Sequence, residues 1–202
     1  MKFSANQKDI QTSLNYCQGV IEKRSTLPIL SNVLLDASQN ELTITATDLD
    51  LIFIHKIKDV QIQEIGRTTT SSSIMYDIVR KISSEKQINF SIISDAKLKL
   101  ESKNSIFNLN CINAKEFPIT DENFNENEFV INSKKFLKLL NKCKFSLSND
   151  ETRHYLSGIF LHTTKINENM YLTAVATDSH RMSISKVKLN DEIIFNPIIL
   201  PK

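Results

Sequence analysis

"ATDLDLIF" at residues 46–53 and "AVATDSHRMSI" at residues 174–184 share an Ala-Thr-Asp triplet, with Asp48 and Asp178 in matching places. In both, the triplet separates two strand-like runs, and an Asp there can accept hydrogen bonds from the backbone N–H groups of a tight turn. The second copy carries His180 and Arg181 where the first has Asp50 and Leu51. Whether this is coincidence or duplication decides the fold.

Working outward, the match continues in order. At an offset of 130, Leu42-Thr43 pairs with Leu172-Thr173 and Thr47-Asp48 with Thr177-Asp178. Upstream of about four inserted residues near Lys165–Asn169 the offset is 126. It pairs Phe3 with Phe129, Cys17 with Cys143, and Leu30-Ser31 with Leu156-Ser157. An ordered series with one small insertion is a structural duplication.

Each copy predicts a short strand (1–5 and 127–132), then a helix (near 7–21 and 133–147). Ile10, Leu14, Cys17 and Ile21 recur at helical spacing in the first helix, and Phe136, Leu140, Cys143 and Leu147 in the second, so each buries one stripe. Cys17 and Cys143 then read as small core hydrophobes. Strand-like runs follow at 29–37, 41–46 and 49–59, and at 155–162, 170–176 and 181–189. Ser71-Ser72-Ser73 supplies N-cap chemistry for a further helix near 73–83 with Ile74, Ile78 and Ile82 as its apolar stripe. Strands are predicted at 87–94, 96–101 and 105–110. The fold class is α+β, with duplicated domains of helices packed on antiparallel sheet. The acidic, Pro-containing stretch 116–129 reads as a linker. Residues 1–122 form the first domain and 123–202 the second. The second copy ends where its second helix is due, so we expect the chain to be part of a longer one.

Composition excludes little. The chain has 202 residues, 41% hydrophobic and 24% charged, with a formal net charge of +2. No apolar run approaches a membrane span and no signal core opens the sequence, so a cytoplasmic location is expected. Three cysteines without Cys-x-x-Cys spacing argue against a disulfide framework. Catalysis finds no support: Asp178, Ser179 and His180 are sequence neighbours on an extended run, which rarely gives triad geometry. There is no Gly-x-Ser-x-Gly elbow, no Gly-rich phosphate loop and no metal-ligand spacing, so no cofactor or metal is expected. The helix near 133–147 carries Lys134, Lys135, Lys138, Lys142 and Lys144, with no acid from Ser133 to Ser148. Lys135, Lys138 and Lys142 share a polar stripe. Such a face is either merely solvated or a surface for phosphates.

Several stretches resemble the bacterial DNA polymerase III β subunit, the sliding clamp. They are Met1-Lys2-Phe3, Arg24 with Thr26-Leu27-Pro28-Ile29-Leu30, Thr47-Asp48-Leu49, Phe117-Pro118, Arg153, Tyr155-Leu156, Gly158, Ala176-Thr177-Asp178 and His180-Arg181. The resemblance runs the length of the chain. It implies a non-catalytic processivity factor: three similar domains per chain, with two chains closing into a homodimeric ring around double-stranded DNA. It implies that Lys135, Lys138 and Lys142 face the duplex, that Arg24 contacts it, and that Arg80 and Lys81 are further candidates, although Asp77 is placed to pair with them. It implies a pocket with Leu156, Thr177, His180, Arg181 and Met182 in its wall. That pocket receives short peptide motifs of the polymerase catalytic subunit, the clamp loader and repair proteins. The family commonly has Leu at the position of Met182, and Met keeps that surface apolar. The rival reading is a protein-interaction scaffold of duplicated α+β domains that never meets DNA, against which the lysine helix counts.

Overall fold

The computed structural model describes residues 1–21, 27–83, 87–103, 105–118, 129–150, 152–190 and 193–201. The chain divides into two compact units, Met1–Asp121 and Glu122–Lys202.

The first unit runs β1 (Lys2–Asn6), α1 (Gln7–Cys17), β2 (Asn32–Ala37), β3 (Leu42–Thr47), β4 (Ile52–Ile57), β5 (Val60–Glu64), β6 (Gly66–Ser71), α2 (Ser72–Val79), β7 (Gln87–Ser94), β8 (Lys97–Ser102) and β9 (Ser105–Ile112). Its sheet has the order β4-β3-β2-β6-β9-β8-β7-β1-β5, and every described pairing is antiparallel. The order shows a second symmetry inside the unit. β1-α1-β2-β3-β4 and β6-α2-β7-β8-β9 are equivalent halves, and each lends its first strand to the other: β6 lies beside β2, and β1 beside β7.

Both helices cover one face of this sheet. Asn6 caps α1 by accepting the Lys8 N–H, and Ser71 caps α2 by accepting that of Ile74. Ile10, Leu14, Cys17 and Ile21 are buried as their spacing predicts. They meet Phe3, Val33, Leu35, Ile44, Phe90 and Leu100 in one core. Phe3 and Phe90 stack with ring centroids 4.6 Å apart across the β1–β7 pair. The α2 stripe is corrected. Met75 and Val79 are its buried residues, Ile78 and Ile82 pack partly, and Ile74 is 55% exposed. The Ser71 cap sets the phase, so the buried set runs Ser72, Met75, Val79 at i, i+3, i+7.

β5 and β6 are the strands that the sequence pattern does not announce. β6 reads Gly-Arg-Thr-Thr-Thr-Ser, with no apolar alternation, yet Thr68, Thr69 and Thr70 are buried. Their hydroxyls are satisfied: Thr69 Oγ1 donates to the Ile112 carbonyl and Thr70 Oγ1 to that of Asn110. Burial of polar residues is cheap when each finds a partner.

The second unit runs α3 (Ser133–Asn141), β10 (Gly158–Ile166), β11 (Asn169–Thr177), β12 (Met182–Lys188) and β13 (Ile198–Pro201), with sheet order β12-β11-β10-β13. The duplication holds residue by residue in the ladder. Leu34↔Thr45 in β2–β3 becomes Phe160↔Val175 in β10–β11. Thr47↔Ile52 becomes Thr177↔Met182, and Asn32↔Ser71 becomes Gly158↔Pro201. The insertion lengthens the β10–β11 hairpin, which pairs Thr164↔Tyr171, Lys165↔Met170 and Ile166↔Asn169 beyond the shared part. Two expectations fail here. Residues 129–132 are not a strand, although Phe129 stacks on Phe195 at 5.8 Å. The helix ends at Asn141 rather than near 147, and a 3-10 turn at Lys144–Ser146 carries the chain on. On α3 the fully buried residue is Leu139, with Phe136 and Leu140 partly buried, while Cys143 and Leu147 beyond its end complete the core. Among the described residues no helix is long and apolar enough to cross a membrane.

Candidate functional site

Two surfaces of the second unit carry most of the predicted residues. The first is the outer face of α3. Asn132 caps the helix by accepting the Lys134 and Lys135 N–H groups. Leu139 points into the core, which turns the lysines outward: Lys134, Lys135, Lys138, Lys142 and Lys144 are all exposed. With a rise of about 1.5 Å per residue, Lys135 to Lys142 spans about 10 Å, a reach that covers successive phosphates of a nucleic-acid strand. None of the five is in an ion pair with a described acid. The remaining predicted cations differ. Arg80 is exposed but already holds Asp77 at 3.0 Å and lies over the Tyr76 ring at 5.8 Å. Lys81 is exposed beside it. Arg24 lies outside the described residues.

The second surface is the Ala-Thr-Asp turn, and the two copies have the same construction. Asp48 Oδ1 accepts the N–H groups of Asp50 and Leu51, and Asp178 Oδ1 accepts those of His180 and Arg181. Thr47 and Thr177 each donate to the carbonyl four residues on and accept the N–H two residues on. Leu49 and Ser179 take matching left-handed conformations, φ 82° and 77°. These N–H bonds from His180 and then Arg181 hold the Asp178 carboxyl below the usual carboxylate range.

Around the second turn stand groups that the first lacks. Arg181 Nε donates to Asp178 Oδ2 at 2.8 Å, and its guanidinium lies 5.6 Å above the Phe145 ring. Arg153 Nε donates to Asp150 Oδ2 at 2.8 Å, and its other arm donates to Ser179 Oγ at 2.9 Å. Asp150 also accepts the hydroxyl and backbone N–H of Thr152, which with Arg153 brings its carboxyl down to about 2. The result is a small polar platform with apolar neighbours: Phe145 is 61% exposed, Tyr155 66% and Met182 63%. Thr177 is half-buried and His180 exposed. Leu156 is half-buried in the 3-10 turn His154–Leu156, joined to the platform where its N–H meets the Arg153 carbonyl.

Sequence reading singled out His180 and Arg181 but gave no role to Phe145, Asp150, Arg153 or Ser179. The signal was present. The first copy has Gly19, Leu27 and Leu49 at the places of Phe145, Arg153 and Ser179, the same kind of departure that picked out His180.

Among the described residues no group of three or more His, Cys, Asp or Glu could hold a metal. Burial pushes the Cys17 thiol up to about 12 and raises that of Cys143, so both stay protonated core groups.

Comparison with known proteins agrees along the whole chain. Residues 1–121 match the DNA polymerase III beta subunit N-terminal domain, and residues 130–202 its central domain. The beta sliding clamp of Caulobacter vibrioides is 32% identical over 204 residues, covering all of this chain and 55% of the relative. That of Rickettsia felis is 34% identical, covering all of this chain and 52% of the relative. Among solved structures, the Caulobacter crescentus beta sliding clamp superposes with a TM-score of 0.93 at 31% identity, covering this chain fully and 54% of that one. A Bartonella birtlesii sliding clamp bound to griselimycin gives 0.92 at 31% identity, with the same coverages. The chain spans about half the length of the relatives it matches.

Proposed function

The chain belongs to the DNA polymerase III beta subunit family, and from that premise we propose that it supplies the N-terminal part of a sliding clamp. In this reading the protein is a processivity factor, not an enzyme. It acts in the cytoplasm, where two full-length chains close into a ring on double-stranded DNA. The ring tethers the polymerase catalytic subunit, and admits the clamp loader and repair proteins through their short peptide motifs.

The observation that carries this reading is the lysine-rich surface of α3 and the turn that follows it, with five exposed cations and no acid between Ser133 and Ser148. A clamp must hold DNA without a fixed register. Attraction to phosphates alone supplies that, because it is independent of sequence. Lys135, Lys138 and Lys142 do this work, and Arg24, Arg80 and Lys81 add to it. On the second surface, Leu156 and Met182 furnish apolar wall, while Thr177, His180 and Arg181 fix the orientation of a bound peptide. The griselimycin-bound relative fits a clamp with a built-in small-ligand surface.

The test uses a clamp of full family length carrying these residues, loaded on circular duplex DNA. Lys135, Lys138 and Lys142 replaced by Ala should shorten retention for any DNA sequence. The log–log salt dependence should flatten by about 0.9 per lost phosphate contact. An unchanged slope would place the stripe in bulk solvent and favour a scaffold that does not meet DNA.

A further inference from the structure

Core contacts on both sides set the turn that carries Phe145. Cys143 is fully buried, and its thiol donates to the Ala174 carbonyl at 3.3 Å. Leu147, four residues on, joins the same core. Between them Ser146 is also fully buried, with its Oγ 2.5 Å from that of Ser183 in β12. The 3-10 turn Lys144–Ser146 is therefore fastened to the strand that begins one residue after Arg181. Phe145 is left outside, 61% exposed, with the Arg181 guanidinium 5.6 Å above its ring. Arg181 is thus held twice. Asp178 Oδ2 takes its Nε–H at 2.8 Å and fixes one edge of the guanidinium, while the ring lies against one face. The two units exchange ring and cation together. The first has Gly19 in the place of Phe145 and Leu51 in the place of Arg181, although the Asp-anchored turn is the same. A single exposed phenylalanine is ordinary. One seated on a buried anchor, beneath an arginine found in the same copy only, has a reason to be there.

We propose that Phe145 is a positioning residue for Arg181: its ring holds the guanidinium in the orientation in which the terminal nitrogens meet a bound peptide. The proposal rests on the peptide-binding reading of this turn, and Phe145 acts in it through the arginine rather than on the peptide. An arginine side chain has many rotamers, and a ligand that orders it loses affinity by that entropy. Here the carboxylate engages Nε and the ring engages the π face before any ligand arrives. The planar fork of donors is then pre-organised, which is the property that suits arginine to such a place. A hydrogen bond at one nitrogen alone leaves the plane free to rock about that contact; the ring removes this freedom. A cation over an aromatic face at an exposed site stabilises by an amount equal to a few-fold in affinity.

Two measurements test it. In the 202-residue chain without peptide, the NMR signals of the Arg181 δ-methylene and Nε–H protons should lie upfield, because they sit over an aromatic face. Phe145→Leu keeps an apolar side chain but no ring, and should return them towards ordinary values; Phe145→Tyr should leave them upfield. In a clamp of full family length carrying these residues, polymerase-derived peptides should bind about threefold more weakly to Phe145→Leu and recover in Phe145→Tyr. In an Arg181→Ala background, Phe145→Leu should make no further difference, since the two side chains act as one unit. Arg181 signals that ignore Phe145→Leu would overturn the proposal. So would the same loss from Phe145→Leu with and without Arg181, because the ring would then touch the peptide itself. Binding weakened by Arg181→Ala but indifferent to Phe145→Leu defeats this proposal alone. Binding indifferent to both defeats the peptide-binding reading of the turn as well.

Discussion

One carboxylate, that of Asp178, holds both the turn and the arginine that the turn presents. Its Oδ1 accepts the His180 and Arg181 N–H groups at 3.0 Å, and its Oδ2 accepts the Arg181 Nε–H at 2.8 Å. In the first unit Asp48 makes the same two backbone bonds, but Leu51 has nothing to offer its other oxygen. The shared bonds are structural; the added one fixes a guanidinium in the rigid fork that can hold a carbonyl or an acid.

That division predicts different outcomes for two substitutions. Asp178→Asn keeps an oxygen for the turn but loses the charge facing Arg181. Asp178→Ala loses both. Hydrogen exchange of the His180 and Arg181 amides should stay near wild type in the Asn variant and accelerate about tenfold in the Ala variant, the scale of one net hydrogen bond. Equal protection in the two variants would mean that the turn is held by Thr177 alone.

Replacing Arg181 and Leu156 by Ala in a full-length clamp should weaken binding of polymerase-derived peptides while leaving ring assembly intact. Arg153→Met should weaken the same peptides, because it releases Ser179 and the Asp150 loop together. Losses of about tenfold each are expected for charged hydrogen-bonding groups. Wild-type affinity in the Arg181/Leu156 double variant would put the peptide surface elsewhere.

The Asp150 carboxyl gives a prediction in pH. Its value falls from the ordinary 3.8 to about 2, because Thr152 and Arg153 bond its charged form. A lowered value in the folded state means that its contribution is present in full above the unfolded value. It is lost as pH drops through about 2. The carboxyl carbon of Asp150 should therefore titrate near 2 by NMR, and Thr152→Ala should raise its midpoint towards 3.8. A midpoint unmoved by Thr152→Ala would disprove the assignment of cause.

Gly158 lies close against β13 in the second sheet. A Cβ there would lie 2.4 Å from Ile199 Cγ2 and 2.7 Å from the Leu200 carbonyl oxygen. Gly158→Ala must push β13 away, and the second unit should lose about 1–3 kcal/mol, as overpacked sites do. Thermal unfolding should register the loss, and amide protection should fall first in Ile198–Leu200. Unchanged protection there would show that the strand yields without cost.

The duplication, the antiparallel strands flanking each Ala-Thr-Asp turn, and the apolar stripe of α1 could all be read from the order of the amino acids. These rest on local periodicity and on like residues at a fixed offset, which survive in a linear text. It also displayed the lysines of α3, since an acid-free helix is a statement about composition. The tertiary structure alone decided the rest. β6 was hidden because its buried threonines are made acceptable by carbonyls of β9, some 40 residues away in the chain. The true face of α2 depended on where Ser71 begins the helix, a matter of cap geometry rather than of apolar spacing. Arg153 acquired a partner at Ser179 only when the two loops met, because a hydrogen bond between residues 26 apart leaves no mark on either segment alone.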